Sequence, residues 1–128
     1  MYSYERFINS KWTLVITDSN RIVFRSQARA IKPLIRYLRH HHEPGGELVI
    51  YDKYVGRAAA LLMVLIKPVK VYTPVISAGG EETLKDSGIP YKAEKRVKYL
   101  MGVASDEMCR WEKMTIGKTP EEFFRMLQ

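Results

Sequence analysis

The fold of this chain is decided by the stretch Thr73-Pro74-Val75-Ile76-Ser77-Ala78-Gly79-Gly80-Glu81-Glu82-Thr83-Leu84-Lys85-Asp86-Ser87-Gly88-Ile89. Its first part is rich in β-formers and predicts a strand that ends in a short turn. A helix follows the turn, and Ser87-Gly88 is typical of a helix C-terminus. A strand that passes directly into a helix is the repeating unit of α/β domains.

The alternation continues on both sides of this stretch. The pattern predicts helices over residues 2–8, 31–38 and 57–65 and from Thr119 onward, strands over residues 12–17, 21–25, 47–51 and 69–73, and a half-exposed edge strand over residues 91–100. The alternation of strands and helices predicts a three-layer α/β domain with a mixed sheet of about five strands and helices on both faces. No linker or repeat interrupts residues 1–128, so we expect a single domain.

The composition is that of an ordinary soluble globular protein, with 46% hydrophobic and 27% charged residues. Cys109 is the only cysteine, so an internal disulfide is excluded and a reducing, cytoplasmic location is expected. The first residues carry charges and no signal-peptide core. The longest apolar stretch, residues 58–66, falls far short of the roughly 20 residues that a membrane helix needs.

The net charge of +7 and the pI near 9.6 raise the question of nucleic-acid binding. The basic groups are short, and acidic residues are interspersed elsewhere. These groups are Arg36, Arg39 and His40-His41-His42, and further along Lys92, Lys95, Arg96 and Lys98. No aromatic platform motif of the RNA-recognition type is visible. A solvated basic surface and a surface that attracts an anionic ligand or nucleic acid both remain open.

The opening stretch resembles the zinc-binding segment of the cytidine deaminase superfamily, in which a strand leads into Pro-Cys-x-x-Cys at a helix start. The segment from Asp52 to Ala60 similarly resembles the deaminase D-P-x-x-H-A-E helix start. On this resemblance the zinc-ligand positions are Gly56, Ser77 and Gly80, and the catalytic glutamate position is Ala58. A deaminase needs three metal ligands and a proton-shuttling carboxylate. The resemblance therefore implies the fold without the reaction, and we expect neither metal nor cofactor.

Nearly the whole chain, from Thr13 to Leu127, resembles the domain-of-unknown-function family 1893. The shared patterns are Ala30-Ile31-Lys32-Pro33-Leu34, Asp52-Lys53-x-x-Gly56-x-Ala58-Ala59-Ala60, Val75-Ile76-Ser77 and Cys109-x-x-Glu112-Lys113. The resemblance implies a fold similar to that of cytidine deaminases, without their zinc site and without an established role.

In this fold the helices that begin near Gly56 and Ser77 are expected to aim their N-termini at a shared cleft. Free backbone N–H groups at such ends favour an anion. Gly56, Gly79 and Gly80 would allow a ligand to approach the backbone closely, and Ser77 would offer a hydroxyl. In the alternative interpretation the glycines serve tight turns and Ser77 is an N-cap.

Three charged residues complete the predicted site. Lys53 and Arg57 would add positive charge beside the anion, and Asp52 would either orient the ligand or accept hydrogen bonds from the loop that follows it. Lys32 lies at a helix start, where a cation is unfavourable, so it either contacts a ligand or reaches solvent.

Two further features carry alternatives. Cys109 would act as a nucleophile only with a base beside it, and neither of its sequence neighbours is one; otherwise it is a small buried hydrophobic residue. The run His40-His41-His42 is either a cationic helix end or part of a zinc set, and consecutive histidines cannot all point one way on a helix. Glu112 and Lys113 are interpreted as part of a solvated face.

The leading functional hypothesis is therefore a non-catalytic, deaminase-like domain that binds a small anionic metabolite or nucleotide in a regulatory role. A metal-free enzyme acting through Asp52, Lys53 and Cys109, and a basic nucleic-acid-binding protein, are the alternatives. The sequence does not determine the oligomeric state; a homodimer is compatible with it.

Overall fold

A computed structural model of the chain describes residues 1–40, 46–98 and 112–128. The helices are α1 (Tyr4–Ile8), α2 (Lys32–His40), α3 (Arg57–Ile66), α4 (Ala78–Asp86) and α5 (Pro120–Met126), and the strands are β1 (Leu14–Asp18), β2 (Arg21–Ser26), β3 (Leu48–Asp52), β4 (Tyr54–Val55), β5 (Lys70–Ser77) and β6 (Tyr91–Val97). The predicted alternation is present, and the structure adds the two-residue strand β4.

The six strands form one mixed sheet, as the sequence predicts. β1 lies antiparallel between β2 and β3, while β5 is parallel to β3, β4 and β6. β3 and β4 share one side of β5, because β6 pairs with the same β5 residues from the other side. β5 is thus the strand around which the parallel half of the sheet is built.

A distortion separates β3 from β4 and is matched in β5. Ile50 and Val55 join the same core although they are five positions apart, which a regular strand with its two-residue period would not allow. Opposite this break, β5 contains Pro74, which has no N–H to give to a neighbouring strand. Thr73 completes the irregular segment, because its hydroxyl accepts a hydrogen bond from Val75 N–H and donates one to Val75 C=O. The break re-aims the chain just before α3 begins.

The main core lies between one face of the sheet and four helices, α2 to α5. Its buried members include Leu34 of α2, Leu62 of α3, Leu84 of α4 and Phe123 of α5, packed against Ile16 and Ile50 of the sheet. These residues are apolar and recur at helical spacing in the helices and at alternating spacing in the strands. Each helix therefore buries one apolar stripe, and each strand buries one side, in the same core.

The opposite face of the sheet is covered by a short helix. In the described part of the chain its helical cover is the five-residue α1, whose Phe7 packs on Val15 and Tyr51. Half-buried residues surround this small cluster, namely Tyr2, Tyr4, Ile8, Trp12, Val49 and Tyr72. We call this side of the sheet the aromatic face. The sequence predicted the helix over residues 2–8, and among residues 1–40, 46–98 and 112–128 this helix extends over part of the face.

The predicted C-terminus of α4 and the predicted N-terminus of α5 are both observed, and capping residues explain their positions. Gly88, with a φ of 69°, follows α4 in the left-handed region that glycine adopts at little cost. α5 begins with a capping box, in which the Thr119 hydroxyl accepts from Glu122 N–H and the Glu122 carboxylate accepts from Thr119 N–H. The edge strand predicted over residues 91–100 is observed as β6 (Tyr91–Val97), and residues 99 and 100 lie outside the described residues.

Candidate functional site

The predicted cleft corresponds to a junction where two parallel strands pass directly into two helices. Val55 of β4 pairs with Ile76 of β5, and these residues immediately precede the starts of α3 and α4. Because neighbouring parallel strands end at the same edge of the sheet, the two helix N-termini begin side by side. We call this region the α3–α4 junction, defined by residues 55–58 and 77–82.

Gly80 makes the close packing of the junction possible. A Cβ atom on Gly80 would lie 2.7 Å from the carbonyl oxygen of Val55 and 3.1 Å from the carbonyl carbon and oxygen of Gly56. These are backbone atoms and cannot move aside cheaply. The space beside Gly80 is therefore filled by the chain itself, which is a packing role for the glycine.

Gly79 lies under the side chain of Arg57. A Cβ atom on Gly79 would lie 3.1 to 3.4 Å from the Arg57 Nε, Cβ and guanidinium nitrogen. The guanidinium also forms an ion pair with Glu82, with 3.2 Å between Arg57 Nη2 and Glu82 Oε1. The structure thus brings Arg57, Gly79 and Gly80 together and places a positive charge over the start of α4.

The N-terminus of α4 is capped by Ser77. Its hydroxyl oxygen accepts a hydrogen bond of 3.0 Å from Gly80 N–H, and only 3% of the residue is exposed. A buried N-cap satisfies one of the free donors of the helix. This contact is the structural role that the sequence analysis weighed against ligand binding for Ser77.

The N-terminus of α3 is capped by a residue that is distant in sequence. Gly56 is the N-cap residue and has no side chain to contribute. In its place, Oε1 of Glu112 accepts a hydrogen bond of 3.2 Å from Ala58 N–H. Burial raises the pKa of Glu112, while the hydrogen bond from Ala58 and the positive charge of Arg57 oppose that rise. A carboxylate of the chain therefore occupies the site where the sequence analysis expected an anion.

Glu112 was predicted from the sequence to lie on a solvated face. The structure shows a half-buried residue held from the C-terminal segment. Thr115, which is 2% exposed, donates its hydroxyl to the Glu112 carbonyl at 2.6 Å and bonds the same carbonyl through its backbone N–H. The one available signal was indirect: a glycine N-cap leaves α3 without a local acceptor, so one has to come from elsewhere.

Asp52 is buried at the break between β3 and β4. Its Oδ1 accepts a hydrogen bond of 3.4 Å from Tyr54 N–H, two residues ahead, a contact typical of an Asx turn. Burial raises its pKa to about 8, against the opposing effect of hydrogen bonds from the Tyr54 and Lys53 backbone. Near neutral pH this carboxyl is largely protonated, which removes the cost of a buried charge.

Lys53 makes its contacts with the N-terminal region. Its Nζ donates to the Ser10 carbonyl at 3.1 Å and lies 4.8 Å from the centroid of the Phe7 ring. Burial lowers its pKa. Arg57, in contrast, contacts residues of α4, so the two cations that the sequence analysis grouped together have separate partners.

The remaining candidates do not join the junction in the described residues. Lys32 is exposed at the start of α2, and His40 is exposed at its end. Cys109, His41 and His42 lie outside the described residues. Within the described ranges, no group of three histidine, cysteine, aspartate or glutamate side chains is placed to hold a metal ion.

The fold and the junction define a class of protein: a mixed α/β domain in which two parallel strands lead directly into helices that begin side by side. A family model described as TM1506, a domain of unknown function (DUF1893), matches residues 4–128, so the chain belongs to this family. The resemblance to domain-of-unknown-function family 1893 that the sequence predicted is thereby confirmed.

The structure is also similar to a crystal structure of a DUF1893 family protein, TM1506, from Thermotoga maritima. The TM-score is 0.83 and the sequence identity is 25%, and the match covers 96% of this chain and 83% of that chain. No curated protein matches the chain. Across the described residues, no helix is long and apolar enough to cross a membrane.

Proposed function

We propose that this protein is a non-catalytic, cytidine-deaminase-like domain that binds a small anionic metabolite or nucleotide at the α3–α4 junction. The observation that carries the proposal is the position of the Glu112 carboxylate, hydrogen-bonded to Ala58 N–H at the start of α3. It supports the view that this helix end favours a negative charge, as the macrodipole and the free N–H groups predict.

The surroundings of that carboxylate also favour an anion. Arg57 belongs to the first turn of α3, and its charge acts on Glu112. Its guanidinium is part-exposed and is paired with Glu82 on the surface, an arrangement that a ligand can exchange at little cost because exposed ion pairs contribute little. A ligand phosphate would take the place of the Glu112 carboxylate and share Arg57.

The lack of a catalytic role rests on the deaminase resemblance. The positions that would hold zinc and the proton-shuttling glutamate are Gly56, Ala58, Ser77 and Gly80. Gly80 packs against backbone and Ser77 caps α4, so both positions have structural partners. The domain would keep the geometry of the helix starts and use it to bind rather than to transform a ligand.

The test is titration of the protein with inorganic phosphate and with nucleoside monophosphates, followed by calorimetry and thermal unfolding. Glu112→Gln removes the competing charge and keeps an acceptor for Ala58, so phosphate affinity is expected to rise. Arg57→Ala is expected to weaken binding by about 1–3 kcal/mol, the scale of a lost charge-assisted hydrogen bond. Lys85→Ala, an exposed cation at the far end of α4, is the matched control.

The outcomes separate a site from a general salt effect. Binding that depends on Arg57, strengthens in Glu112→Gln and ignores Lys85 supports the proposal. Equal stabilisation of all four proteins by phosphate would contradict it, because that pattern reports ionic strength alone.

A further inference from the structure

The aromatic face carries a row of side chains that crosses the whole sheet. Arg25, Val15, Tyr51, Tyr72 and Lys92 are successive partners on β2, β1, β3, β5 and β6. Cross-strand partners point to the same side of a sheet, so two aromatic rings at the centre of the row are flanked by a cation at each end. With strands about 4.8 Å apart, the row is about 19 Å long.

Further cations lie over the rings of this face. The pairs, with the distance from the cation to the ring centroid, are Arg6 over Tyr2 at 5.5 Å, Lys11 over Trp12 at 5.3 Å, Arg25 over Trp12 at 4.6 Å, Lys53 over Phe7 at 4.8 Å and Lys70 over Tyr72 at 5.7 Å. Each ring belongs to the aromatic face or to α1 above it. Cations from separate parts of the chain thus lie over rings on one side of the sheet, which the linear sequence did not show.

The rings and cations remain accessible at both ends of the row. At one end Trp12 is half-buried and its partners Lys11 and Arg25 are exposed. At the other end Tyr72 is half-buried; it stacks on Tyr51 with ring centroids 5.3 Å apart and an interplanar angle of 12°. Lys92, beside Tyr72 on β6, is exposed. Among the described residues, α1 lies over the centre of the row, and its Tyr4 ring also contacts Tyr72, with centroids 6.1 Å apart. Tyr72 and Trp12 both keep part of their surface exposed beside these contacts.

We propose that the aromatic face binds single-stranded nucleic acid, with bases stacked on Trp12 and Tyr72 and phosphates held by Arg25, Lys70 and Lys92. Such strands combine flat apolar bases with one negative charge per nucleotide. Surfaces that bind them combine aromatic rings with a basic track. The face supplies both. Acidic residues are also present, and Glu94 raises the pKa of the Tyr4 hydroxyl, which reaches about 12 after the larger effect of burial. This site is separate from the α3–α4 junction and does not depend on it.

The first experiment measures binding of fluorescein-labelled oligouridylate and oligothymidylate of about ten nucleotides by fluorescence anisotropy. Titrations at several salt concentrations between about 50 and about 200 mM give the slope of affinity against salt. The wild-type protein is expected to bind both strands, with affinity that falls as salt rises. Absence of binding at the lowest salt would overturn the proposal.

Charge-reversed variants locate the site. Lys70→Glu and Lys92→Glu are expected to weaken binding roughly tenfold and to lower the salt slope by about one each. The control is Arg36→Glu, which changes an exposed cation on α2 at the other side of the sheet and alters the net charge by the same amount. Its affinity is expected to stay within about twofold of the wild type, because only the long-range effect of net charge is changed. Equal losses in all three variants would indicate a delocalised basic surface and overturn the proposal.

Stacking is tested separately from charge. Tyr72→Leu keeps an apolar side chain against Tyr51 and is expected to weaken oligonucleotide binding about tenfold, within the range reported for loss of one aromatic stacking partner. Binding of heparin or polyglutamate should be unaffected by this change. If the oligonucleotide also ignores Tyr72→Leu, the surface is a polyanion site and the proposal fails. Thermal unfolding checks the fold of the variant, and Trp12→Leu, at the other proposed stacking position, decides the question if Tyr72→Leu is unfolded.

The alternative to nucleic acid is that a second copy of the chain binds to the aromatic face. Sedimentation velocity of the wild type and Lys70→Glu, without nucleic acid, reports on it. A monomer in both cases agrees with the proposal. A wild-type dimer that Lys70→Glu converts to monomer would show that this face joins two copies, and would overturn it.

Discussion

Oε1 of Glu112 lies 3.2 Å from the backbone nitrogen of Ala58 and caps a helix that begins more than fifty residues earlier in the chain. The N-cap residue of that helix, Gly56, contributes no side-chain acceptor. The contact ties the C-terminal segment to the start of α3 and fills the helix end with negative charge. Its energetic role can be measured directly.

Replacement of Glu112 by alanine is expected to lower the free energy of unfolding by about 1–2 kcal/mol, the usual cost of losing a helix cap. Glu112→Gln should cost less, because its amide oxygen can still accept from Ala58 N–H. Chemical denaturation at neutral pH provides the measurement. Lys113→Ala, the neighbouring side chain, is the control. A loss that is equal for Glu112→Ala and Lys113→Ala would mean that the cap does not contribute to stability.

The two junction glycines are expected to respond differently to alanine. Gly80→Ala places a Cβ atom 2.7 Å from the Val55 carbonyl oxygen, so about 1–3 kcal/mol of destabilisation is expected from overpacking. Gly79→Ala meets the flexible Arg57 side chain and gains helix propensity, so its unfolding free energy should change by no more than about 1 kcal/mol. Each variant is the other's control. Equal effects would contradict the packing role of Gly80.

Asp52 is expected to make stability depend on pH. Its pKa rises from 3.8 to about 8 on folding, so the folded state binds more protons than the unfolded state between these values. The stabilising contribution is complete below about pH 4, declines as pH rises and is lost above about pH 8. Asp52→Asn keeps an oxygen for Tyr54 N–H and removes this titration, so its stability relative to wild type should increase with pH. Parallel pH profiles of the two proteins would refute the assignment.

Ser77 is expected to act as a buried helix cap. Ser77→Ala should lower the free energy of unfolding by about 1–2 kcal/mol, because Gly80 N–H loses its acceptor. Thr119→Ala, which removes the corresponding contact at the exposed start of α5, should cost less, since water can replace the hydroxyl there. If Ser77→Ala leaves stability unchanged and weakens phosphate binding, the hydroxyl belongs to the ligand site instead.

Deamination is expected to be absent. The three zinc positions and the catalytic glutamate position that the resemblance assigns are glycine, serine and alanine. Elemental analysis of the purified protein should show no stoichiometric zinc, and incubation with cytidine or adenosine should release no ammonia. About one zinc per chain would show that another ligand set exists.

The order of helices and strands follows from the sequence by itself, because it depends on local signals. Short runs rich in apolar and β-branched residues define β3 and β5, Gly88 supplies the backbone freedom at the end of α4, and the Thr119-Pro120 pair opens α5. Arg57, Gly79 and Gly80 lie together because parallel strands that lead into helices place the helix starts at one edge of the sheet.

The contacts that give these residues their roles depend on tertiary structure. Glu112 reaches Ala58 from the C-terminal segment, and Lys53 reaches Ser10 in the N-terminal region. The cations of the aromatic face come from separate strands and acquire a common surface only when Arg25 and Lys92 are aligned across the sheet. Local periodicity fixes which way a side chain faces within its own element, but its neighbours depend on strand register and helix docking, which are set by burial of the whole core.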